Sequence, residues 1–307
     1  MKPYQNILVG IDYSQSSRSA LRAAIRLGAF NNAVITAVHI LDPALAAALK
    51  RVNGFSDEQM IKVTEDSVHR FLVETEVGTE SVRVRIETGH PVAGLVGACR
   101  DLDADLLVLG THGNHHLGYQ VGPVAAKCTR KTPCDVLLIR EGQSGPFRKA
   151  LVGIDLSETS REAFKAALQV AECDGTALHC LLVQETPAVA GAEYGGYLPG
   201  LSLVEWSDGR ALEGELATFL MDAASGHPEV HWISTVEESF SARATLLRHA
   251  TDDSCDLVVV GTKGTSNLLS LVMGTTAENI VAHAPASLLA VKPPYLNHVA
   301  QHEWHIP

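Results

Sequence analysis

The stretch from Leu8 to Ala24 reads LVGIDYSQSSRSALRAA, and the stretch from Leu151 to Ala167 reads LVGIDLSETSREAFKAA. The two stretches are identical at 11 of 17 positions. Each begins with a short apolar run typical of a buried strand and continues with apolar residues near helical spacing. Because such self-similarity is the signature of a repeated structural unit, we expect the two halves of the chain to fold in the same way.

The two copies share a second segment, since DLLVLGTHG from Asp105 and DLVVVGTKG from Asp256 agree at 6 of 9 positions. The offset between the copies grows from 143 residues in the first pair to 151 in the second, so the second copy holds eight net extra residues. Residues 141–146 read EGQSGP, a composition typical of a linker. We predict a first domain over residues 1–141, a second domain over residues 147–294 and a C-terminal tail over residues 295–307.

Each copy contains five short apolar segments that are separated by segments of helical periodicity. The predicted strands are Asn6–Ile11, Ala33–Ile40, Val82–Glu87, Asp105–Leu109 and Asp135–Ile139 in the first copy, and Ala150–Ile154, Ala177–Val183, Glu229–Thr235, Asp256–Val260 and Ser287–Val291 in the second. The first predicted helix covers Ser14–Phe30, with Ser14 as its N-cap.

The runs LLVL and LVVV within these strands are apolar throughout, which is typical of strands buried on both faces of a parallel sheet. The predicted fold is therefore α/β, with two tandem doubly wound domains. Each would be a five-stranded parallel sheet of order 3-2-1-4-5 flanked by helices.

Composition excludes several classes of protein. With 46% hydrophobic and 19% charged residues, the 307-residue chain is neither disordered nor fibrous. Its net charge of −11 argues against binding to nucleic acid or to anionic membranes. No apolar run approaches the roughly 20 residues that cross a bilayer, and no signal-peptide segment is evident, so we expect a cytoplasmic protein. The six scattered cysteines are expected to be reduced core thiols.

Ligands of open parallel sheets bind beyond the carboxyl ends of the strands. Asp12 and Asp155 end the first strand of each copy. Glycine pairs end the fourth strand: Gly110 and Gly113 in the first copy, Gly261 and Gly264 in the second. Further along the second copy, Gly274-Thr275-Thr276 opens a helix, whose first N–H groups and dipole favour phosphate.

Both halves resemble universal stress protein domains, from Gln5 to about Lys292. The nucleotide-binding pattern of that family, G-x2-G-x9-G-(S/T), is matched by the second copy. The resemblance implies binding of ATP or a related adenine nucleotide, with or without Mg²⁺. It places Asp155 and the backbone near Val183 beside adenine. The ribose and phosphates would be held by Gly261, Thr262, Lys263, Gly264, Gly274, Thr275 and Thr276.

The first copy departs from the pattern. Only eight residues separate Gly113 from Gly122, and Pro123 stands where serine or threonine is expected. Proline has no N–H group, so one phosphate donor and one hydroxyl are both lost. We therefore expect a weaker site in the first copy, formed by Asp12, Gly110, Gly113 and Gly122.

These residues also have a structural explanation without a ligand. The glycines would form tight turns, and the two aspartates would cap the first helix of each copy. No P-loop, GxGxxG or GxSxG motif and no catalytic residue is evident. The leading hypothesis is a nucleotide-binding stress sensor or regulator that needs no catalysis. A slow ATPase and a nucleotide-free interaction scaffold are the alternatives.

Three further features bear on partners and ligands. Histidines at 112, 115 and 116 and in the tail at 298, 302 and 305 lack partners for a closed metal shell, so no metal site is predicted. The segment Thr186–Gly209 is either a lid or an irregular crossover. The final strands, CDVLLIR and ASLLAVK, are predicted sheet edges, and in the resembled family this edge is commonly a dimer surface. We predict that the two halves pair through it as an intrachain pseudo-dimer. A homodimer of the whole chain is the alternative, and the sequence identifies no protein partner.

Overall fold

The computed structural model describes residues 3–75, 82–113, 121–185, 209–264 and 273–294. Within these ranges strands and helices alternate. The first copy comprises β1 (Asn6–Gly10), α1 (Gln15–Asn31), β2 (Val34–Leu41), α2 (Pro43–Asn53), α3 (Asp57–Glu74), β3 (Val82–Thr88), α4 (Pro91–Asp101), β4 (Leu106–Gly110), α5 (Pro123–Lys131) and β5 (Asp135–Ile139). The second comprises β6 (Lys149–Ile154), α6 (Glu158–Asp174), β7 (Ala177–Glu185), α7 (Gly209–Ala223), β8 (Trp232–Ser239), α8 (Ala242–Asp252), β9 (Leu257–Gly261), α9 (Thr275–His283) and β10 (Ser287–Val291).

The strands form one ten-stranded sheet of order β3-β2-β1-β4-β5-β10-β9-β6-β7-β8. Within each copy the neighbouring strands are parallel and follow the order 3-2-1-4-5, which confirms the predicted fold class. Between the copies, β5 pairs with β10 in the antiparallel direction, with Leu138 opposite Leu288 and Val136 opposite Ala290. The predicted pairing of the two halves through their final strands is therefore confirmed.

The predicted strands agree with the observed ones to within two residues at each end, with one exception. The strand predicted over Glu229–Thr235 runs instead from Trp232 to Ser239. The prediction was wrong because Val230, although apolar and buried, belongs to the preceding turn, where its N–H donates to the carbonyl of His227 at 3.3 Å. The strand then continues to Ser239, which is paired with the end of β7.

Ser14 is the N-cap of α1, as predicted, and its hydroxyl accepts a hydrogen bond from the backbone N of Ser17 at 3.0 Å. Ser157 caps α6 in the same way. Helix α1 ends at Asn31, one residue later than predicted. These caps hold the chain in a sharp turn directly after the first strand of each copy.

Helices cover both faces of the sheet, as the continuously apolar strands predict. Leu106 and Val108 of β4 pack with α1, α3, α6 and α7 in one core layer. Leu107 and Leu109 pack with α4, α5, α8 and α9 in the other. Both core layers contain residues from the two copies, so the copies share a continuous hydrophobic interior.

An ion pair also joins the two copies. The Arg26 guanidinium on α1 donates two hydrogen bonds to the Asp174 carboxylate on α6, from Nε to Oδ1 at 2.7 Å and from Nη2 to Oδ2 at 3.0 Å. The Asp174 side chain is fully buried and also accepts from the backbone N of Phe147 at 2.9 Å. Bidentate geometry and burial make this contact stronger than an ordinary surface ion pair.

The six cysteines are free thiols, and all but the half-buried Cys173 are buried, in agreement with the expected core role. Among the helices that the structure describes, none combines the length and the apolar character needed to cross a bilayer.

A buried polar network lies beside the β5–β10 junction. The Asp135 carboxyl accepts from the Tyr4 hydroxyl at 2.9 Å and from the backbone N of Lys292 at 2.8 Å. The Lys292 ammonium donates to the carbonyl of Thr129 at 2.5 Å. Burial raises the pKa of Asp135 from 3.8 to about 7, because the charged form is poorly solvated there. The network therefore makes the stability of this junction dependent on pH.

We predict that Leu138→Asp, or Val136→Asp, separates the copies and lowers the free energy of unfolding by about 4 kcal/mol or more, because it buries an unpaired charge. Urea unfolding and small-angle scattering would measure the loss and the expansion. Ile233→Asp, on β8 and 62% exposed, is the control and should change stability by only about 0.5 kcal/mol. An unchanged unfolding curve and scattering profile for Leu138→Asp would contradict the paired arrangement.

A second prediction concerns pH. The folded protein holds the Asp135 proton more tightly than the unfolded chain does, so this group stabilises the fold below its ordinary pKa of 3.8. That contribution is lost as the pH rises to about 7. Relative to Asp135→Asn, the wild type should therefore lose stability between about pH 4 and pH 7. Urea titrations across this range test it, with exposed Asp66→Asn as the control; a difference that does not vary with pH would refute it.

Candidate functional site

The turn after β6 fixes the Asp155 carboxylate at the carboxyl edge of the second copy. Asp155 Oδ1 accepts from the Ser157 backbone N at 3.0 Å and from the Ser157 hydroxyl at 2.5 Å. Leu156, between them, adopts the left-handed conformation with φ of 61°. The helix cap is Ser157, so the alternative in which the aspartate caps the helix is wrong.

The first copy repeats this turn. Asp12 Oδ1 accepts from the Ser14 backbone N at 3.0 Å and from its hydroxyl at 2.6 Å, and Tyr13 has φ of 63°. Ser14 is again the helix cap. The aspartate, the left-handed residue and the serine thus form one structural unit that the repeated GID-(Y/L)-S sequence encodes twice.

The glycines after the fourth strand lie against this turn. A Cβ atom on Gly264 would stand 2.6 Å from Asp155 Oδ2, and one on Gly261 would stand 2.9 Å from Thr159 Cγ2. In the first copy a Cβ on Gly113 would be 2.8 Å from Asp12 Oδ2. Gly110 is equally confined, with Ser16 Cβ at 2.5 Å. Gly110 and Gly261 therefore pack too closely against α1 and α6 to carry a side chain, whereas Gly113 and Gly264 lie against the two aspartate carboxylates.

Gly274 is different. It is the N-cap of α9 with φ of −62°, a conformation open to every residue, and among the described residues a Cβ there would meet only the Thr262 carbonyl, at 3.8 Å. Within the described residues no side chain caps this helix. Serine, threonine or aspartate would be the usual choice at such a position. Packing against the part of the chain that the structure describes therefore does not account for a glycine here.

A hydrogen-bonded connection holds Gly274 at the same edge. Thr262 is anchored by its N–H and its hydroxyl to the Val291 carbonyl, at 2.8 and 3.1 Å. Its own carbonyl accepts from the N–H of Gly274 at 2.9 Å. The next two residues, Thr275 and Thr276, are exposed at the start of α9. Their backbone N–H groups lie at the positive end of the helix dipole.

The remaining predicted residues of the second copy lie nearby in the chain. Lys263 is half-buried between the two motif glycines. Val183, also half-buried, lies in β7 and is paired with Glu237 of β8. The structure thus brings Asp155 into contact with Gly264 and Thr262 into contact with Gly274. The nucleotide-binding roles of all these residues stay predictions.

The corresponding helix of the first copy has one donor fewer. Gly122 is the N-cap of α5, and its N–H donates to the Thr111 carbonyl at 2.7 Å, as in the second copy. Pro123 is the first residue of α5 and contributes no N–H. Thr111 and Gly122 therefore reproduce the backbone arrangement of Thr262 and Gly274 without its full set of donors.

An aromatic cluster beside Asp12 was not predicted. The Tyr13 ring lies 4.7 Å from the His39 ring and 5.7 Å, edge-on, from the Phe71 ring. His39 Nδ1 is 2.8 Å from the carbonyl of Ile11, and burial lowers the pKa of this imidazole. Alignment of the two copies could have found the difference, since leucines stand at the matching positions 156 and 182.

Several predicted features lie outside the described residues. These are the histidines at 115, 116, 298, 302 and 305, the tail over residues 295–307, and most of the segment Thr186–Gly209.

Comparison with known proteins identifies the family. A sequence model of the universal stress protein family matches the chain twice, over residues 3–140 and 146–292. The chain belongs to the universal stress protein family. A relative from Staphylococcus saprophyticus that bears the same family name is 30% identical over 143 residues, or 46% of this chain and 86% of the relative. Such a relative corresponds in length to about one copy of this tandem universal stress protein.

Solved structures match the whole tandem arrangement. A universal stress protein from Pseudomonas aeruginosa has a TM-score of 0.66 at 16% identity and covers 98% of this chain and 99% of that chain. One from Archaeoglobus fulgidus has a TM-score of 0.64 at 15% identity and covers 94% and 98%. At these identities the likeness concerns the fold alone.

We predict that Gly264→Ala lowers the free energy of unfolding by about 1–3 kcal/mol, because its methyl group would collide with Asp155 Oδ2. In the Asp155→Ala background the same substitution should cost much less. Gly274→Ala, where a methyl group has room, is the matched control and should leave stability nearly unchanged. Urea unfolding of the wild type, Gly264→Ala, Asp155→Ala and the double variant completes a double-mutant cycle. Equal costs of Gly264→Ala in both backgrounds would show that the glycine and the aspartate are not coupled.

Proposed function

We propose that this tandem universal stress protein binds one adenine nucleotide, such as ATP, at the carboxyl edge of its second copy. In this role it acts as a stress-linked sensor or regulator. The observation that carries the proposal is Gly274: a glycine caps α9 where its packing against the described residues leaves room for a side chain and where a side-chain cap would be usual. A glycine at that position leaves room for a phosphate to approach the helix backbone.

The chemistry around Gly274 suits phosphate. The N–H groups of Thr275 and Thr276 and the dipole of α9 favour negative charge, and the two exposed hydroxyls can donate further hydrogen bonds. Lys263, between the motif glycines, adds a positive charge on the same connection. Backbone donors combined with one lysine are a common means of binding phosphate in proteins.

The chemistry around Asp155 suits the base. Its carboxylate is already oriented by two hydrogen bonds from Ser157, so little entropy is lost when it accepts from an exocyclic amine. It lies against Gly264, which belongs to the same loop as Lys263. A ligand with an amino-bearing nucleobase at one end and phosphates at the other would suit Asp155 and the start of α9 together.

The nucleotide-free scaffold is the competing function. It is favoured by Gly110 and Gly261, which packing against the first helix of each copy requires, and by the sheet that fuses the two copies. It gives no reason for the glycine at 274, and it predicts no saturable nucleotide binding. The two functions are therefore separated by a titration.

The repeat makes each copy a control for the other. Calorimetric titration with ATP should give about one site per chain in the wild type, no binding at that site in Gly274→Val, and unchanged binding in Gly122→Val. Asp155→Ala should weaken binding more than Asp12→Ala does. Losing one charge-assisted hydrogen bond costs about 1.5–3 kcal/mol, so Pro123 alone would weaken the first site by one to two orders of magnitude.

Circular dichroism should show that both glycine variants remain folded. Two equal sites, or binding that survives in Gly274→Val and vanishes in Gly122→Val, would overturn the assignment. Absence of binding in the wild type at millimolar ATP would favour the scaffold.

A further inference from the structure

Two histidines and an aspartate meet at the opposite end of the second copy from Asp155. His179 is the third residue of β7, His249 lies in the last turn of α8, and Asp253 is the C-cap of that helix. Lys149, the first residue of β6, lies 3.6 Å from Asp253, whereas Asp155 follows the last residue of β6. The cluster is therefore separate from the proposed nucleotide site.

The three side chains converge on one oxygen. Asp253 Oδ2 is 3.1 Å from His179 Nδ1 and 3.4 Å from His249 Nδ1. One ligand atom from each residue lies within 4.8 Å of the other two. In a tetrahedral zinc site with bonds of about 2.0–2.2 Å, neighbouring ligand atoms are about 3.3–3.5 Å apart. The two distances from Asp253 Oδ2 are already close to this separation.

The outer nitrogen of each imidazole has its own partner. His249 Nε2 lies 2.8 Å from Glu237 Oε2, and His179 Nε2 lies 3.0 Å from the Thr235 hydroxyl. Metal-binding histidines are typically held by a carboxylate or another acceptor at the ring nitrogen that does not bind the metal. These outer contacts hold both rings in place, so that each Nδ1 faces Asp253.

A neutral His249 imidazole cannot donate a hydrogen bond in both of its contacts. Both ring nitrogens of His249 face carboxylate oxygens, but a neutral imidazole has a single N–H. The second contact needs either a second proton or a cation. The basic residues do not supply it, because Lys149 pairs with Asp253 Oδ1 and Arg248 with Glu237 Oε1. Asp253 Oδ2 and Glu237 Oε2 are the oxygens that face the imidazoles.

The first copy lacks the cluster. The counterpart of His179 is Thr36, because His179 pairs with Leu151 in the second copy and Thr36 pairs with the matching Leu8 in the first. The 151-residue offset of the later segments matches His249 with Ala98 and Asp253 with Leu102. The fold therefore does not require these three residues, and their presence in the second copy calls for another explanation.

We propose that His179, His249 and Asp253 bind one Zn²⁺ ion. Two imidazole nitrogens and one carboxylate oxygen form a donor set that zinc accepts, with water as the fourth ligand. The three side chains are 7%, 17% and 31% exposed, so the ion can enter from the Asp253 side. The ion would join β7 to the end of α8 and stabilise the second copy.

The test compares the wild type with the triple variant His179→Thr/His249→Ala/Asp253→Leu, which carries the residues of the first copy and should therefore fold. Calorimetric titration with Zn²⁺ alone should show one equivalent fewer in the variant. Zn²⁺ should raise the Tm of the wild type and leave that of the variant unchanged. His227→Gln removes a histidine that pairs with Glu172 instead, and it should behave as the wild type does.

Co²⁺ gives a second readout on the wild type that does not depend on any variant. The strong visible absorption of tetrahedral Co²⁺, abolished by an equivalent of Zn²⁺, is the expected result. A weak octahedral spectrum would overturn the proposal. So would equal zinc stoichiometry in the wild type and the triple variant, or a wild-type Tm that does not respond to Zn²⁺; the cluster would then be a hydrogen-bonded network without a metal.

Discussion

The antiparallel ladder between β5 and β10 is the contact on which the rest of this tandem protein depends. Each copy alone would end its sheet at a short apolar strand with unpaired backbone groups, and pairing the two strands removes both edges at once. The ladder also makes the core layers continuous and brings α1 and α6 close enough for the Arg26–Asp174 ion pair. Because the join is antiparallel, the carboxyl edges of the two copies lie at opposite ends of the sheet, so each candidate nucleotide site is built from one copy only.

The two copies share a scaffold and differ in the chemistry that it presents. Both fix an aspartate through a serine turn and both place glycines against it, which shows that these residues support the fold whether or not a ligand binds. The difference lies at the start of the last helix, where the second copy offers Gly274 followed by two threonines and the first offers Gly122 followed by a proline. Both copies therefore share the aspartate turn and its glycines, and only the second begins its last helix with backbone N–H groups at both positions after the glycine.

Much of this could be predicted from the sequence, because the repeat and the apolar strands are local patterns. The α/β class and the placing of Asp155 and the glycine segment at one sheet edge followed from these patterns, whereas the pairing of the halves followed from the resemblance to a family in which that edge is commonly a dimer surface. The start of β8 was misplaced, since a buried Val230 in a turn has the same local pattern as a strand residue. The cluster of His179, His249 and Asp253 was missed because tertiary packing brings together β7 and α8, although the spacing of four residues between His249 and Asp253 was a readable partial signal.

The central claim is that the second copy alone presents a complete phosphate-binding edge. A crystal structure of the full chain grown with excess ATP tests it most directly. The account predicts one nucleotide per chain, with its base beside Asp155 and its phosphates on the backbone of Gly274, Thr275 and Thr276. Phosphates bound at Gly122 and Pro123, or a second copy left empty under saturating ATP, would contradict it.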